Sequence, residues 1–365
     1  MPSQTDQRNL RSLVGRTFLA NVLARATAIV TTIAVLFLVS NPSSTLGLSG
    51  PKHPDRKVAL VTGANKGIGY EIARKLVNHY HSPAESGDDT AATFCVLLGC
   101  RNRTLGEAAA ESLRAEARAS APVGVESRVD PVVEVVAIDL FDHETIDRAV
   151  AQIEETYGRC DVLINNAAVC YNDPTLYGTV PHTPFSKQAE ITVATNFFGT
   201  LALTRAMLPL LLRATKGTPR IINIASSAGR LSILPSEDRR AAFSSESLTL
   251  DELGSYMTDF VEAAREGRHR EEGWPNTGYG VSKVGIIAMT RILAREHGGE
   301  RGADGRRILV HSVDPGYCAT DQNNNQGFIP ASAGAYTPYL LATLDADRFA
   351  GASGRHWYEA SEIAW

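Results

Sequence analysis

A tyrosine and a lysine stand four residues apart in the segment YGVSK at residues 279–283. On an α-helix this spacing places Tyr279 and Lys283 on one face, one turn apart. A free tyrosine has a pKa of about 10, too high to exchange protons readily at neutral pH. A nearby ammonium group favours the phenolate and lowers that pKa. The spacing is therefore that of an acid catalyst tuned by a lysine, although the same residues also begin ordinary surface helices.

A glycine-rich segment, TGANKGIG at residues 62–69, follows the first apolar run of the chain, KVALVTGA. Its spacing is G-x-x-x-G-x-G. Gly63 permits a tight turn, Gly67 lets a pyrophosphate approach the backbone, and Gly69 lets a helix pack closely on a strand. Free N–H groups at the start of that helix favour an anion. The segment predicts a dinucleotide-phosphate site, and a glycine turn without a ligand is the alternative.

The end of the second predicted strand indicates which dinucleotide is bound. An NAD-preferring site usually has an acid there to hold the ribose 2′-hydroxyl. Here the strand ends at Cys100 and is followed by Arg101 and Arg103, while Lys66 lies in the glycine segment. Cations without an acid suit a 2′-phosphate, so NADP(H) is predicted; solvated surface cations are the alternative.

Two further strand ends carry polar residues that face the same edge of the predicted sheet. Asp139 follows the third strand, where it is suited either to accept a hydrogen bond from an adenine amino group or to cap the next helix. The segment NNAA at residues 165–168 ends the fourth strand, and its small residues let a backbone lie against a flat ligand.

The elements that would position these residues alternate along the chain. Apolar strand-like runs such as TFCVLLGC and VVEVVAIDL are each followed by a segment with helical spacing. Strands that are apolar almost throughout are typical of a parallel sheet covered on both faces. The predicted fold class is therefore α/β, a doubly wound parallel sheet of Rossmann type in a single domain, with ligands beyond the carboxyl ends of the strands.

The composition narrows the function classes. The chain has 365 residues, 44% hydrophobic and 21% charged, with a formal net charge of -4 and no basic stripe, so a nucleic-acid partner is not expected. The five cysteines are odd in number and form no CxxC pair. Reduced thiols are therefore expected, and neither a disulfide framework nor a metal site is predicted.

The first fifty residues differ from the rest. No charged residue occurs from Ala26 to Pro51, and residues 27–39 are strongly apolar. Residues 1–50 are predicted to be a targeting or membrane-anchor segment with a linker, and residues 51–365 the catalytic domain. An uncleaved membrane helix, a cleaved secretory signal and a transit peptide all remain open. The predicted location is membrane-associated or organelle-targeted, with a cytoplasmic protein as the alternative.

With these parts in order, the chain resembles the short-chain dehydrogenase/reductase family over about residues 57–365. The segments TGANKGIG, NNAA, TNFFGT, NIASS, YGVSK and DPG occur in the order typical of the family. The segments EGWPNTGYGVSK and PFSKQAEITVATNFFGT resemble its carbonyl reductase branch. Two residues depart from the family pattern: Cys318 stands where valine is frequent, and Asp314 where a small or apolar residue is usual.

The resemblance implies a catalytic set of four residues. Tyr279 would be the general acid and Lys283 its partner, Ser226 would polarise the carbonyl, with Ser227 as the alternative, and Asn196 would hold a water beside the lysine. Lys66 and Arg101 would meet the 2′-phosphate. The implied NADPH/NADP-binding residues are Gly63, Asn65, Lys66, Gly67, Ile68, Gly69, Arg101, Asp139, Leu140, Asn165, Tyr279, Lys283, Pro315, Gly316 and Thr320.

The resemblance also implies a function and an assembly state. The function would be NADPH-dependent reduction of a ketone, aldehyde or quinone. The alternatives are a specialised steroid or terpenoid alcohol dehydrogenase and a membrane-tethered NADP(H)-binding sensor with little turnover. Residues 236–276 would border the substrate mouth and cover the surface through which many relatives oligomerise, implying a monomer.

The candidate aromatic residues of the substrate pocket are Trp274, Tyr171, Phe185 and Tyr317, with ordinary packing as the alternative. The role of Gln188 is open.

Overall fold

The computed structural model describes residues 52–79, 93–120, 130–171, 183–215, 217–299, 307–344 and 353–365. These residues belong to one compact unit, Pro51–Trp365. The strands are β1 (Lys57–Thr62), β2 (Phe94–Cys100), β3 (Val132–Ala137), β4 (Val162–Asn165), β5 (Arg220–Ile224), β6 (Leu309–Val313), β7 (Cys318–Ala319), β8 (Ile329–Pro330), β9 (His356–Tyr358) and β10 (Ser361–Ile363). The helices are α1 (Gly67–Val77), α2 (Arg103–Ser120), α3 (His143–Tyr157), α4 (Phe185–Val193), α5 (Thr200–Leu212), α6 (Glu237–Ser244), α7 (Leu250–Arg265), α8 (Gly278–His297), α9 (Ala331–Gly334) and α10 (Tyr336–Thr343).

Within the described ranges, eight strands form one sheet in the order β10-β9-β6-β5-β4-β1-β2-β3. Strand β1 pairs in parallel with β2 on one side and with β4 on the other, so the chain order reverses next to β1. A ligand of such a sheet binds beyond the carboxyl ends of the strands at this reversal. The predicted doubly wound α/β fold is confirmed.

Strand β1 shows why the central strands are apolar on both faces. Its side chains alternate between two cores, because successive residues of a strand point to opposite faces. Val58 and Leu60 belong to the larger core, beneath α3, α5 and α8. Ala59 and Val61 belong to the other core, beneath α1, α2 and α10.

The apolar segment AEITVATNFFGTLALTRAMLPLLL, residues 189–212, predicts one long helix, but the observed helix begins earlier and is not regular. It starts at Phe185, and residues Ala194–Gly199 between α4 and α5 form a π-helical turn. Such turns are rare and frequently lie at functional sites. This run of residues 185–212 is also long and apolar enough, by length and composition, to cross a membrane, but most of it is buried against the rest of the protein.

The last two strands of the sheet were not predicted. Strand β9 pairs in parallel with β6, and β10 pairs antiparallel with β9. Each has only three residues, too few for an alternating pattern to be read from the sequence. The predicted N-terminal leader, residues 1–50, lies outside the described residues.

Candidate active site

The loop between β1 and α1 has the geometry expected of a phosphate cradle. Gly63 and Gly67 adopt φ values of 65° and 59°, which favour glycine. A Cβ on Gly69 would lie 2.5 Å from the carbonyl oxygen of Gly63, so no larger residue fits there. The N-cap residue, Lys66, makes no side-chain hydrogen bond to the first turn of α1. The N–H groups of that turn are therefore suited to hold an anion.

A cleft of ≈ 530 Å³ opens in front of this loop. Nine of the predicted cofactor-binding residues line it: Gly63, Asn65, Lys66, Gly67, Ile68, Arg101, Asp139, Leu140 and Thr320. The cleft is also lined by residues that the sequence did not single out, among them Asn102, Asn166, Thr195 and Gln322. The glycine cradle at one end and the cations beside it fit a phosphorylated dinucleotide.

The two cations predicted to meet a 2′-phosphate are in different situations. Arg101 lines the cleft and is exposed. Lys66 is also exposed, but its Nζ lies 2.7 Å from Oδ2 of Asp321 across the cleft. This ion pair joins the glycine loop to the segment after β7, and no sequence pattern predicts it. Because both side chains are well exposed, the pair contributes little to stability, and Lys66 can leave Asp321 to bind another anion.

Asp139 does not cap the next helix. Its Oδ1 accepts a hydrogen bond from the backbone N–H of Phe141, while the N-cap of α3 is Asp142, whose carboxylate accepts from Glu144 N–H. Of the two roles suggested for Asp139, only a contact with a ligand in the cleft remains.

Asn165 was predicted to line the cofactor cleft, and the structure corrects this placement. Its Nδ2 donates to Thr204 Oγ1 at 3.0 Å and to Asn223 Oδ1 at 2.8 Å, inside the protein. Asn223 Nδ2 in turn donates to Thr290 Oγ1 on α8. Asn165 thus belongs to a buried polar chain that connects α5, β4, β5 and α8. The neighbouring residue, Asn166, lines the cleft instead.

Three more predicted cofactor residues lie away from the lining of the cleft. Gly69 packs under the loop, as its contact with Gly63 shows. Pro315 accepts a hydrogen bond from the Cys318 thiol through its carbonyl oxygen, and Gly316 makes a turn with a φ of 80°. Pro315 and Gly316 shape the backbone segment that leads to Thr320, which lines the cleft.

Tyr279 and Lys283 lie on one face of α8, as the spacing predicts. The helix begins at Gly278, with Thr277 as its N-cap. Lys283 is 3% exposed, and its Nζ lies 5.5 Å from the centroid of the tyrosine ring. The same Nζ donates a hydrogen bond of 2.6 Å to the carbonyl oxygen of Ile224 at the end of β5. The lysine is thus held between α8 and the central sheet.

Burial controls the protonation of this pair. Desolvation lowers the pKa of Lys283 to about 8, against the opposing effects of Cys170 and Asp314. Desolvation also raises the pKa of Tyr279 to about 12, and Cys170 adds a smaller electrostatic effect in the same direction. The expected lowering of the tyrosine pKa by the lysine is therefore not what the structure shows. Burial dominates the pKa of Tyr279, and the phenol keeps its proton at neutral pH.

Ser226 lies beside the tyrosine. Hydrogen bonds from Ser226 and Gln322 to Tyr279 act against the rise in the tyrosine pKa. Ser226 lies at the end of β5 and caps a short 3-10 turn, Ser227–Gly229. Gly229 permits this turn to pack on α8, since a Cβ there would lie 2.9 Å from the Cβ of Lys283. The side-chain contact with Tyr279 favours Ser226 over Ser227 as the catalytic serine.

Asn196 lies in the π-helical turn and is 1% exposed. Its Oδ1 accepts from Val169 N–H at 2.8 Å, and its Nδ2 donates to Val169 O at 2.9 Å and to Ser282 Oγ at 3.1 Å. The side chain therefore joins the loop after β4 to α8. The structure thus adds this bracing contact to the water-holding role implied by the resemblance, and that role stays a prediction.

A second cavity, of ≈ 340 Å³, has Tyr279 in its lining. It is lined by Cys170, Tyr171, Phe185, Gln188, Thr192, Asn276, Thr277, Gly278 and Tyr279. Two of the four candidate aromatics, Tyr171 and Phe185, line this cavity. Trp274 is instead 1% exposed and packs among core aromatics, whereas Tyr317 is on the surface against Phe328. Tyr279 thus lines the small-molecule cavity, while its hydrogen-bond partner Gln322 lines the dinucleotide-sized cleft.

Comparison with known proteins agrees with this arrangement. A family model described as short chain dehydrogenase matches residues 95–235. The chain is 36% identical over 309 residues to carbonyl reductase (NADPH) 1 of Bos taurus, covering 84% of this chain and 98% of the relative. It is 35% identical over 308 residues to carbonyl reductase (NADPH) 1 of Homo sapiens, covering 84% and 96%.

Solved structures show the same fold. Salutaridine reductase from Papaver somniferum matches with a TM-score of 0.64 at 25% identity, covering 83% of this chain and 99% of that one. Menthone neomenthol reductase from Mentha piperita matches with a TM-score of 0.62 at 26% identity, with the same coverage. The fold and the site thus define a short-chain oxidoreductase. The chain belongs to the short-chain dehydrogenase/reductase family, in its carbonyl reductase branch.

Proposed function

We propose that the protein reduces a carbonyl compound to an alcohol with NADPH, and that Tyr279 is the general acid. The observation that carries this proposal is the position of Tyr279, which lines the substrate cavity, has its ring 5.5 Å from Nζ of the buried Lys283, and shares a hydrogen bond with Ser226. A carbonyl in that cavity would have a proton donor and a second hydroxyl beside its oxygen.

NADPH is the proposed cofactor because two independent features support it. The relatives from Bos taurus and Homo sapiens are named for NADPH. The cleft of this chain pairs a glycine cradle with two cations, Lys66 and Arg101, and has no acid at the end of β2. When bound, NADPH supplies the hydride to the carbonyl carbon.

The chain itself supplies the proton and stabilises the charge that develops on the oxygen. Tyr279 is protonated at neutral pH, since its pKa is about 12, and so holds a proton to give to the carbonyl oxygen. Ser226 donates a hydrogen bond to the same oxygen, and a donor of this kind typically contributes about 100-fold or more in rate. Lys283, charged below a pKa of about 8, stabilises the phenolate that proton transfer leaves on Tyr279.

The substrate is proposed to be a ketone, aldehyde or quinone of small size. The cavity of ≈ 340 Å³ combines the aromatic side chains of Tyr171 and Phe185 with polar groups. Its size is at the lower end of ordinary ligand pockets. A second candidate is a dehydrogenase specialised for one steroid or terpenoid alcohol, which the likeness to a menthone reductase favours.

A panel of ketones, aldehydes, quinones and secondary alcohols tests this function. Oxidation of NADPH is followed at the nicotinamide absorbance, and reduction of NADP⁺ with the alcohols. Turnover of several unrelated carbonyl compounds is the expected result. Turnover of one steroid or terpenoid alcohol alone would favour the second candidate. Tight NADPH binding without turnover of any compound would contradict both and favour the sensor.

A further inference from the structure

A buried histidine that the proposed chemistry does not use lies behind the substrate cavity. His269 lies between α7 and α8 and is 8% exposed. It lines neither the cofactor cleft nor the substrate cavity. It contacts two residues that do line the substrate cavity, so any effect it has on the substrate passes through them.

These two contacts differ in kind. The imidazole ring lies against the ring of Phe185, with centroids 4.6 Å apart and planes inclined by 37°. Its Nε2 lies 2.9 Å from Oδ1 of Asn276. The first contact is one that many apolar side chains could make. The second needs a hydrogen-bond donor.

The tautomer of His269 follows from its surroundings. A carboxamide oxygen only accepts hydrogen bonds, so Nε2 carries the ring hydrogen and donates it to Asn276. The other ring nitrogen, Nδ1, is buried and has no partner within the described part of the chain. The imidazole therefore makes a single polar contact through its side chain, at the cost of an unsatisfied buried nitrogen. That single contact is the one to Asn276.

This hydrogen bond decides which end of the Asn276 amide faces the cavity. Oδ1 is turned toward the buried histidine, so the Nδ2 end remains for the cavity that Asn276 lines. Asn276 is exposed, and its Nδ2 makes no hydrogen bond to another described residue. Thr277, Gly278 and Tyr279 follow it directly and line the same cavity. A fixed N–H donor therefore stands on the same wall as the tyrosine.

We propose that His269 is a positioning residue that holds Asn276 as a hydrogen-bond donor for a second oxygen of the substrate. The inference rests on the proposed function and adds a substrate class to it. The preferred carbonyl compound carries another acceptor oxygen next to the reacting carbonyl, as in a vicinal diketone. Such a substrate receives one hydrogen bond from Tyr279 or Ser226 and another from Asn276 Nδ2.

The test compares benzil, a vicinal diketone, with deoxybenzoin, which keeps both rings but only one carbonyl. The full-length protein is assayed with NADPH, and kcat and KM are measured for each ketone. Wild type favours benzil. His269→Leu lowers the ratio of kcat/KM for benzil to that for deoxybenzoin about tenfold, mostly through KM for benzil. His269→Gln retains the ratio, because its amide N–H can still donate to Asn276.

A double-mutant cycle tests whether the effect passes through Asn276. Asn276→Ala lowers the same ratio as His269→Leu does, and the double variant lowers it no further. Asn276 is exposed, so this arm gives a result even if His269→Leu fails to fold. The proposal is overturned if wild type has the same kcat/KM for the two ketones. It is also overturned if His269→Leu and His269→Gln change the ratio of the two kcat/KM values to the same extent. Additive losses in the double variant would overturn it too.

Calorimetry separates failure of this inference from failure of the proposed function. Benzil is titrated into the protein saturated with NADP⁺, with no turnover needed. Weaker binding of benzil to Asn276→Ala and His269→Leu than to wild type would support the positioning role even if the protein reduced neither ketone. Equal binding to all variants, in a protein that reduces both ketones, would overturn the positioning role and leave the reductase function standing.

Discussion

At the scale of single residues, spacing predicted that the tyrosine and lysine of the proposed catalytic pair share a helical face, but it did not predict their pKa values. The four-residue interval places Tyr279 and Lys283 on one helical face because the helical repeat fixes that geometry. Burial is not visible in the sequence, and it sets the pKa of Tyr279 at about 12 and that of Lys283 at about 8. The proposed acid is therefore a phenol that stays protonated, with a lysine suited to stabilise the phenolate that it becomes.

Cofactor preference is a prediction at this scale. Arg101 lines the cleft, whereas Arg103 points to Glu107 on α2 at 3.5 Å and does not line it. We expect Arg101→Ala to weaken NADPH binding about tenfold or more and to leave NADH binding nearly unchanged, because only NADPH carries the 2′-phosphate. Fluorescence titration with both nucleotides measures the effect.

The matched control is Arg103→Ala, which removes the same charge outside the cleft and should change neither affinity. Equal losses for NADPH and NADH in Arg101→Ala would remove the phosphate-binding role of this arginine.

The site residues that the sequence misplaced share one physical cause. Asn165 ends a strand, where a polar side chain faces either the cleft or the neighbouring strand, and no sequence pattern decides between these. Its partners, Thr204 and Asn223, lie 39 and 58 residues away along the chain. The Lys66–Asp321 pair spans 255 residues. Contacts of such separation are set by the tertiary fold, so motif spacing within one segment cannot predict them.

At the scale of elements, the π-helical turn between α4 and α5 is the main feature that the sequence did not predict. The predicted helix is continuous, since the segment is apolar and rich in helix formers, but the π turn at Ala194–Gly199 carries Asn196. Its amide joins the loop after β4 to Ser282 on α8, next to the lysine. The turn thus connects the loop after β4, which lines the cofactor cleft, to α8.

Removing the Asn196 amide should therefore loosen both elements. We expect Asn196→Ala to lower the free energy of unfolding by about 1–3 kcal/mol, because it leaves the part-buried N–H and carbonyl groups of Val169 without these partners. Turnover should fall as well. Urea denaturation followed by circular dichroism measures the stability.

Ser282→Ala is the control for this experiment, since it removes only one of the three hydrogen bonds of Asn196. It should destabilise the protein less. If Asn196→Ala were as stable as wild type, the amide would not be bracing these elements.

At the scale of the whole molecule, the alternation of apolar strands and helices was enough to predict the sheet and its parallel direction. The short strands β9 and β10 were missed because three residues carry no periodic signal. The leader at residues 1–50 is outside the described residues, so its anchoring or targeting role stays a prediction. N-terminal sequencing of the native protein tests whether it is retained.

The assembly state also stays a prediction. Helix α7 packs through Leu253, Met257 and Phe260 into the same core as α4 and α8. We propose that it covers the face through which many relatives are expected to oligomerise. We expect a monomer in analytical ultracentrifugation, and a sedimentation mass near twice the 39.3 kDa of the chain would contradict this.

The buried lysine predicts how stability depends on pH. Its pKa is about 8 in the folded protein and 10.5 in the ordinary exposed state, so the unfolded chain binds more protons between these values. The free energy of unfolding of wild type should therefore rise relative to Lys283→Met as the pH increases from 8 to 10.5. The rise should reach about 3–4 kcal/mol at most.

Urea denaturation of both proteins at several pH values measures this difference. The cost of the buried charge is fully present below pH 8 and is relieved as the folded lysine loses its proton. A difference that does not change with pH would show that Lys283 is not desolvated as the structure indicates.

The most direct test of the proposed chemistry is the variant Tyr279→Phe. It removes the hydroxyl and keeps the ring that packs above Lys283. General acid catalysis typically contributes about 100-fold to 10,000-fold, so kcat with a ketone and NADPH should fall by at least about 100-fold. The dissociation constant for NADPH, measured by fluorescence titration on the same preparation, should stay close to that of wild type. Retained turnover in Tyr279→Phe would contradict the assignment of this tyrosine as the proton donor.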